Sequence, residues 1–264
     1  MHSESTESTK RKGLLIDVTR CIGCGACVEA CNKENNLPGG GGDTLSYRQY
    51  TVLQKHGDFH VRKLCMHCED PSCVAACPIG AMTKRPNGAV VWNSDICFGC
   101  RYCMIACPFG IPTFEWYDWN PRIRKCTLCY QRIEAGRPTA CAEACPTEAT
   151  VFGDRDTLIK IAEERIRIHA KEYHNHVLGL TEVGGTSVMY LSAIPFSELG
   201  FNEDILQSPP SEVTWRILSQ VPTVVVLGAW VLGGFYWLYR RRDEVKAAEA
   251  HMEKSDAPGE GGHQ

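Results

Sequence analysis

Sixteen cysteines in four tight groups constrain this 264-residue chain more than any other feature. The groups are Cys21, Cys24, Cys27 and Cys31; Cys65, Cys68, Cys73 and Cys77; Cys97, Cys100, Cys103 and Cys107; and Cys126, Cys129, Cys141 and Cys145. Each opens on CxxC and holds four thiols, and no cysteine is left over. A [4Fe–4S] cluster takes four thiolates, so the cysteines suit four [4Fe–4S] clusters, with all sixteen as iron ligands.

Two other uses of thiols compete with this reading. Disulfide frameworks belong to short exported chains with varied spacings, unlike these repeated groups. Zinc sites pair two CxxC units across a longer gap, whereas the first and third groups carry three cysteines in one loop and a fourth beyond it. The spacing favours clusters. In a CxxCxxC run one loop wraps a cube, and its backbone N–H groups can face the anionic sulfurs. The fourth cysteine is expected to open a helix that leads away, and in two-cluster ferredoxins it ligates the other cluster. Pro78, Pro108 and Pro146 follow the last cysteine of three groups, but Asn32 follows Cys31. Proline shapes backbone and binds no iron, so Asn32 changes the local scaffold and leaves the ligand set intact.

Wider gaps in the second and fourth groups, "EDPS" and "YQRIEAGRPTA", carry turn residues and are expected to bulge as loops. "GLLIDV" suits a short strand, and "SYRQYTVLQKHGDFHVRKL" a hairpin turning at Gly57-Asp58. "GAMTKRPNGAVVW" reads as a hairpin turning at Pro86-Asn87-Gly88, and "EATVFGD" reads similarly. A helix is predicted from Thr157 to about Glu172, capped by Asp154 or Asp156, and a strand in "TSVMYLSAI". Residues 1–12 read as a disordered tail without a signal peptide. The formal charge of −3 predicts no nucleic-acid partner.

Residues 221–239 hold no charged side chain, and nineteen helical residues span about 28 Å, close to a bilayer core. Tyr236, Trp237 and Tyr239 sit where an aromatic belt would lie, followed by Arg240, Arg241 and Arg242. A single-pass transmembrane helix over 218–240 in contact with lipid follows. The excess of positive charge after it puts residues 241–264 in the cytoplasm and the cysteine-rich body outside it. Without a signal peptide, export together with a signal-bearing partner is the expectation.

The motifs "CRYCMIACPFGIP", "KCTLCYQRIEAGRPTACAEACPTEA" and "EVGGTSVMYLSAIPF", with the terminal span, resemble the iron–sulfur subunits of respiratory molybdopterin enzymes and membrane-bound hydrogenases, above all the beta subunit of membrane-bound formate dehydrogenase. The likeness covers roughly residues 13–240. It implies an α+β fold of two ferredoxin-like halves, one inserted in the other: 13–63 with 116–155, and 64–115, followed by a helix and strand extension over 156–217. It also implies the ligand sets. Cluster 1 would take Cys21, Cys24, Cys27 and Cys145; cluster 2, Cys31, Cys126, Cys129 and Cys141; cluster 3, Cys65, Cys68, Cys73 and Cys107; cluster 4, Cys77, Cys97, Cys100 and Cys103. Such a subunit carries electrons from a catalytic subunit to a membrane cytochrome b and quinone, with no catalytic residue of its own. The formate dehydrogenase partner leads, a [NiFe] hydrogenase or another molybdopterin oxidoreductase follows, and a free ferredoxin-like carrier is the alternative of another class.

Other residues carry two readings each. His67 can tune cluster 3 or replace one of its ligands, the second disfavoured because four thiolates are already at hand. His174 and His176 suit a polar loop better than a haem site. Arg122, Arg124 and Lys125 can raise the potential of cluster 2 or form a solvated basic strand. "FEWYDWNP" is either a docking surface for the catalytic subunit or packing over the clusters.

Overall fold

The computed structural model describes residues 11–40 and 42–255. The expected N-terminal tail therefore lies outside the described residues up to position 10, and the C-terminal tail from 256 onward. Lys12 is no part of a tail, because it begins the first strand.

The run "KGLLID" forms β1 (Lys12–Asp17), whose residues 14–17 are all buried. An apolar run without alternation needs cover on both faces, and β1 has it. It is the centre of a three-stranded sheet, antiparallel to β8 (Thr150–Asp154) and parallel to β9 (Val188–Leu191). We number the intervening elements in chain order: α1 (Ala26–Glu34), the hairpin β2 (Val52–His56) and β3 (Phe59–Lys63), then α2 (Ser72–Ala75). The hairpin β4 (Met82–Lys84) and β5 (Val90–Trp92) follows, then α3 (Tyr102–Ile105), the hairpin β6 (Thr113–Phe114) and β7 (Ile123–Arg124), α4 (Tyr130–Glu134) and α5 (Ala140–Glu143). After β8 comes α6 (Arg155–Ile168).

Leu15 faces α6, packing with Leu158, Ala162, Met189 and Leu191. Leu14 and Ile16 face the other way, into a core shared with Cys31, Cys65, Cys126 and Cys141. Each such buried leucine or isoleucine contributes about 1.5–3 kcal/mol. Asp17 pins the α6 side: its carboxylate accepts from Arg165 Nη1 at 2.8 Å and from the Tyr173 hydroxyl at 2.7 Å. The sheet is thus a wall with Cys31, Cys65, Cys126 and Cys141 on one side and a helix on the other.

Both predicted hairpins form with the expected turns. "EATVFGD" differs, because its strand β8 pairs with β1 rather than with a neighbour. The predicted strand in 186–194 forms as β9, and the helix runs Arg155–Ile168 with Asp154 at its N-cap. The boundary between residues 115 and 116 falls in the turn of the β6–β7 hairpin.

Two compact units divide the chain, the first ending at Glu212. The second, from Val213, takes in the end of α7 (Pro210–Leu218) and α8 (Val221–Ser255). Helix α8 is long and apolar enough in its first part to cross a membrane, and Val224, Leu227, Val231, Leu232 and Phe235 on it are exposed.

Candidate iron–sulfur sites

One backbone device repeats in all four cysteine groups. The residue just before the second cysteine is left-handed each time: Gly23 at φ 74°, His67 at 50°, Gly99 at 74° and Leu128 at 56°. Glycine adopts this conformation freely, and Gly23 is fixed further because a Cβ there would fall 2.5 Å from the His60 ring. For His67 and Leu128 it costs about 1–2 kcal/mol, a strain that proteins keep at functional sites. Left-handed turns of this kind point successive N–H groups into one concavity, a cradle for an anion. In the fourth group Leu128 N–H already points at Cys126 Sγ, 3.4 Å away. The cradles fit an anionic cluster bound by thiolates.

The helices fall differently from the expectation that the fourth cysteine opens one. Cys73, Cys103 and Cys141 lie inside the one-turn helices α2, α3 and α5, and Cys77, Cys107 and Cys145 come two residues past each helix end. The prolines at 78, 108 and 146 explain the stops: the residue before proline is driven out of helical geometry. Asn32 imposes no such stop. Helix α1 therefore runs on to Glu34, nine residues, with both Cys27 and Cys31 inside it.

These elements gather the thiols in space. Cys77, Cys97, Cys100 and Cys103 line one small pocket with Trp92 and Phe98. Cys31, Cys126, Cys129 and Cys141 line another beside Leu14 and Leu64. Elsewhere the thiols' mutual influence marks their neighbours. Burial pushes the Cys68 thiol up, and Cys65, Cys107 and Cys73 push it further. Burial also raises Cys21, with Cys145 and Cys24 adding to it. Cys103 is pushed up to about 11 by burial and then by Cys97, Cys100 and Cys77. Burial raises Cys145 too, but backbone N–H groups at Thr150, Thr147 and Ala149 outweigh it and leave this thiol low.

The groups touch in sequence. Cys27, raised mainly by burial, also feels Cys141, and Cys31, raised mainly by burial, feels Cys27 as well as Cys141 and Cys129. Cys126 feels Cys65. Cys73, raised to about 12 by burial against the pull of Lys125, feels Cys103. All sixteen thiols are unpaired, and among the described residues no three His, Cys, Asp or Glu side chains close on a single-ion site. A tetrahedral zinc would draw its sulfurs to within about 3.8 Å of one another.

The basic residues before Cys126 are not a solvated strand. Lys125 is buried, its ammonium donating to the carbonyls of Val90 and of Cys126, the latter at 3.0 Å, and Arg124 donates to Glu115 at 2.6 Å. His67 is fully buried and accepts from Val90 N–H through Nδ1 at 2.9 Å, so its proton sits on Nε2, which has no protein partner. Burial, with Lys125 and Lys84 nearby, keeps it neutral. His176 bonds Glu182 at 2.7 Å, a structural contact in the turn before β9. In "FEWYDWNP" only Phe114 is core; Trp116, Tyr117 and Trp119 are exposed, so they do not pack over the cysteines.

Sequence reasoning passed over Arg62, a buried guanidinium on β3. Its neighbour Val61 is buried too, so the strand has no alternation to mark Arg62 as inward. The glycine-free turns at His67 and Leu128 were equally silent in the sequence, and only the recurrence of their position relative to the second cysteine reveals them.

Comparison with known proteins identifies the domains that carry these cysteines. Two models of the 4Fe–4S dicluster domain match, over residues 20–82 and 58–155. A protein of Nitratidesulfovibrio vulgaris strain Hildenborough is 39% identical over 259 residues, spanning 90% of this chain and 69% of that one. The iron–sulfur subunit of the nitrate-inducible formate dehydrogenase of Escherichia coli K12 is 40% identical over 197 residues, 67% of this chain and 66% of that one. The hydrogenase-2 operon protein HybA of Escherichia coli O157:H7 is 31% identical over 272 residues, 83% of each chain. With HybA matched along most of its length and dicluster domains over the cysteine groups, this chain belongs to the respiratory ferredoxin-type iron–sulfur subunits, non-catalytic proteins that transfer electrons through [4Fe–4S] clusters.

Proposed function

We propose that the chain holds four [4Fe–4S] clusters in a row and serves as the wire between a molybdopterin catalytic subunit of formate dehydrogenase type and a membrane cytochrome b. The ligand sets are Cys21, Cys24, Cys27 and Cys145; Cys31, Cys126, Cys129 and Cys141; Cys65, Cys68, Cys73 and Cys107; and Cys77, Cys97, Cys100 and Cys103. The observation that carries this reading is the pair of cavities, each lined by the four cysteines of one set and no other cysteine. When bound, each cluster supplies one-electron redox chemistry. The protein's part is to hold, space and shield. Cys27 beside Cys141, Cys126 beside Cys65 and Cys73 beside Cys103 favour the order one to four. Both ends of that order reach the surface: Cys24 is exposed at one, and Phe98, Tyr102 and Ile105 are exposed around the other. The two halves are the proposed ferredoxin-like units, one inserted in the other.

Residues 221–239 would cross the membrane once, with the arginines after them in the cytoplasm and the cysteine groups on the opposite side. A hydrogenase partner is the second reading, favoured by the longer reach of the HybA match. Purification through a tag on this chain in mild detergent, with molybdenum, tungsten and nickel measured together, separates the two. Molybdenum or tungsten with formate-dependent reduction supports the first reading. Nickel replaces it with the second, and iron with none of the three from an intact complex overturns both.

A further inference from the structure

Arg62 is a buried cation without a counter-charge. It is 2% exposed; Nη1 donates to Thr150 Oγ1 at 3.2 Å, while Nε and Nη2 make no well-formed hydrogen bond, although the guanidinium lies against the Cys27 thiol. Other buried arginines in the chain are answered by carboxylates: Arg132 by Glu34 and Glu143, and Arg155 by Glu69. Among the described residues no carboxylate pairs with Arg62. A desolvated charge left in that state is strongly destabilising, so an anion is needed beside it.

The groups around it are thiols. The Arg62 charge acts on Cys21, Cys27 and Cys31, while Cys141 and Cys126 act on Arg62. Cys21 and Cys27 belong to the first proposed set; Cys31, Cys126 and Cys141 belong to the second. Arg62 therefore stands between two sites that would each hold an anion. Its position is itself fixed, by the Thr150 hydroxyl on β8 and by the Tyr190 hydroxyl, which donates to the Arg62 carbonyl at 2.7 Å.

We infer that Arg62 is a shared donor for the first and second cluster sites, directing the N–H groups of Nε and Nη2 at their sulfurs and raising both reduction potentials. The inference rests on the four-cluster reading. Reduction adds negative charge to an already anionic group, and a fixed cation with N–H donors favours the more negative state. Arginine suits the task because it stays charged when buried and presents its donors in a rigid fork. Lys125, which acts on Cys73, lies by the third set instead.

EPR-monitored redox titration of the full chain, purified anaerobically with its clusters, tests this. In Arg62→Gln two of four midpoints should fall, each by about tenfold in the reduced-to-oxidised ratio at a set potential, about 59 mV for one electron. The other two should hold. Arg62→Lys keeps the charge but loses the fork, and should show a smaller fall at the same two. All four midpoints holding in Arg62→Gln, or all four moving together, overturns the inference. Should Arg62→Gln fail to load iron, the unmutated chain labelled with guanidino-¹⁵N arginine decides. Pulsed EPR should then show ¹⁵N coupling that persists in an Arg101→Lys background, where the arginine lining the Cys77 cavity is gone. No such coupling overturns the inference. Failure of the four-cluster reading appears separately, as iron in the unmutated chain short of four clusters.

Discussion

Asn32→Pro would give the first cysteine group the same ending as the other three, and the structure predicts that it fails. Cys31 lies inside α1, and its thiol faces the cavity with Cys126, Cys129 and Cys141. Proline at 32 removes the N–H that helix geometry sends back to the Val28 carbonyl and clashes with that carbonyl, a cost of about 3 kcal/mol. It also drives Cys31 itself toward extended backbone, which turns the thiol away from its three partners. Helix α1 would end early, and Glu34 would lose its bond to Arg132, now 2.9 Å. Glu34 is about a third exposed, so that loss adds only about 1 kcal/mol. The sum is about 4 kcal/mol and one cluster. Asn32→Ala is the control: Asn32 Oδ1 is buried without a partner, so its removal is close to neutral, within about 1 kcal/mol. The assay is iron per chain after anaerobic purification, with the midpoint of thermal unfolding under argon. Asn32→Pro should retain about three quarters of the iron and unfold at lower temperature, with Asn32→Ala matching the unmutated protein. Full iron and an unchanged midpoint in Asn32→Pro would refute the claim that the continued helix positions Cys31.

Further expectations follow from the same geometry. Cys141→Ser and Cys145→Ser, four residues apart, should remove different EPR signals, because Cys141 lines the cavity with Cys31 while Cys145 neighbours Cys21. Glu69→Gln leaves Arg155 and Lys84 without their carboxylate and should destabilise the protein by about 2–3 kcal/mol, read from its thermal midpoint. Trp119→Ala should leave that midpoint within about 0.5 kcal/mol, since the ring is 96% exposed, while reducing the catalytic subunit recovered with the chain if the aromatic segment docks it. Truncation after Glu212 should keep the visible absorbance of the clusters and abolish partition into detergent.

The cluster chemistry was legible because its signal is local. Four thiols within a few residues must share a loop, and the spacing states how many can reach one cube. Hairpins with Gly57 or Asn87-Gly88 at their turns were legible for the same reason. The sheet was not. β1 pairs with strands near residues 150 and 190, and nothing in "GLLIDV" names partners that far along the chain. The segment "VGGTSVMYLS", noticed only as a resemblance, turns out to back the second cysteine group: Ser187 and Val188 N–H donate to the carbonyls of His67 and Met66. Arg62 and Lys125 were hidden by their type, since a Lys or Arg in a basic stretch is ordinarily solvated. Burial of both follows from the sulfur-lined core around them, which exists only after distant groups have met.

The most direct test of the account is the count of iron and acid-labile sulfide per chain, with Mössbauer spectra, in protein purified anaerobically. The account predicts about sixteen of each, all in [4Fe–4S] form. About eight of each, or zinc in place of iron at any group, would contradict it.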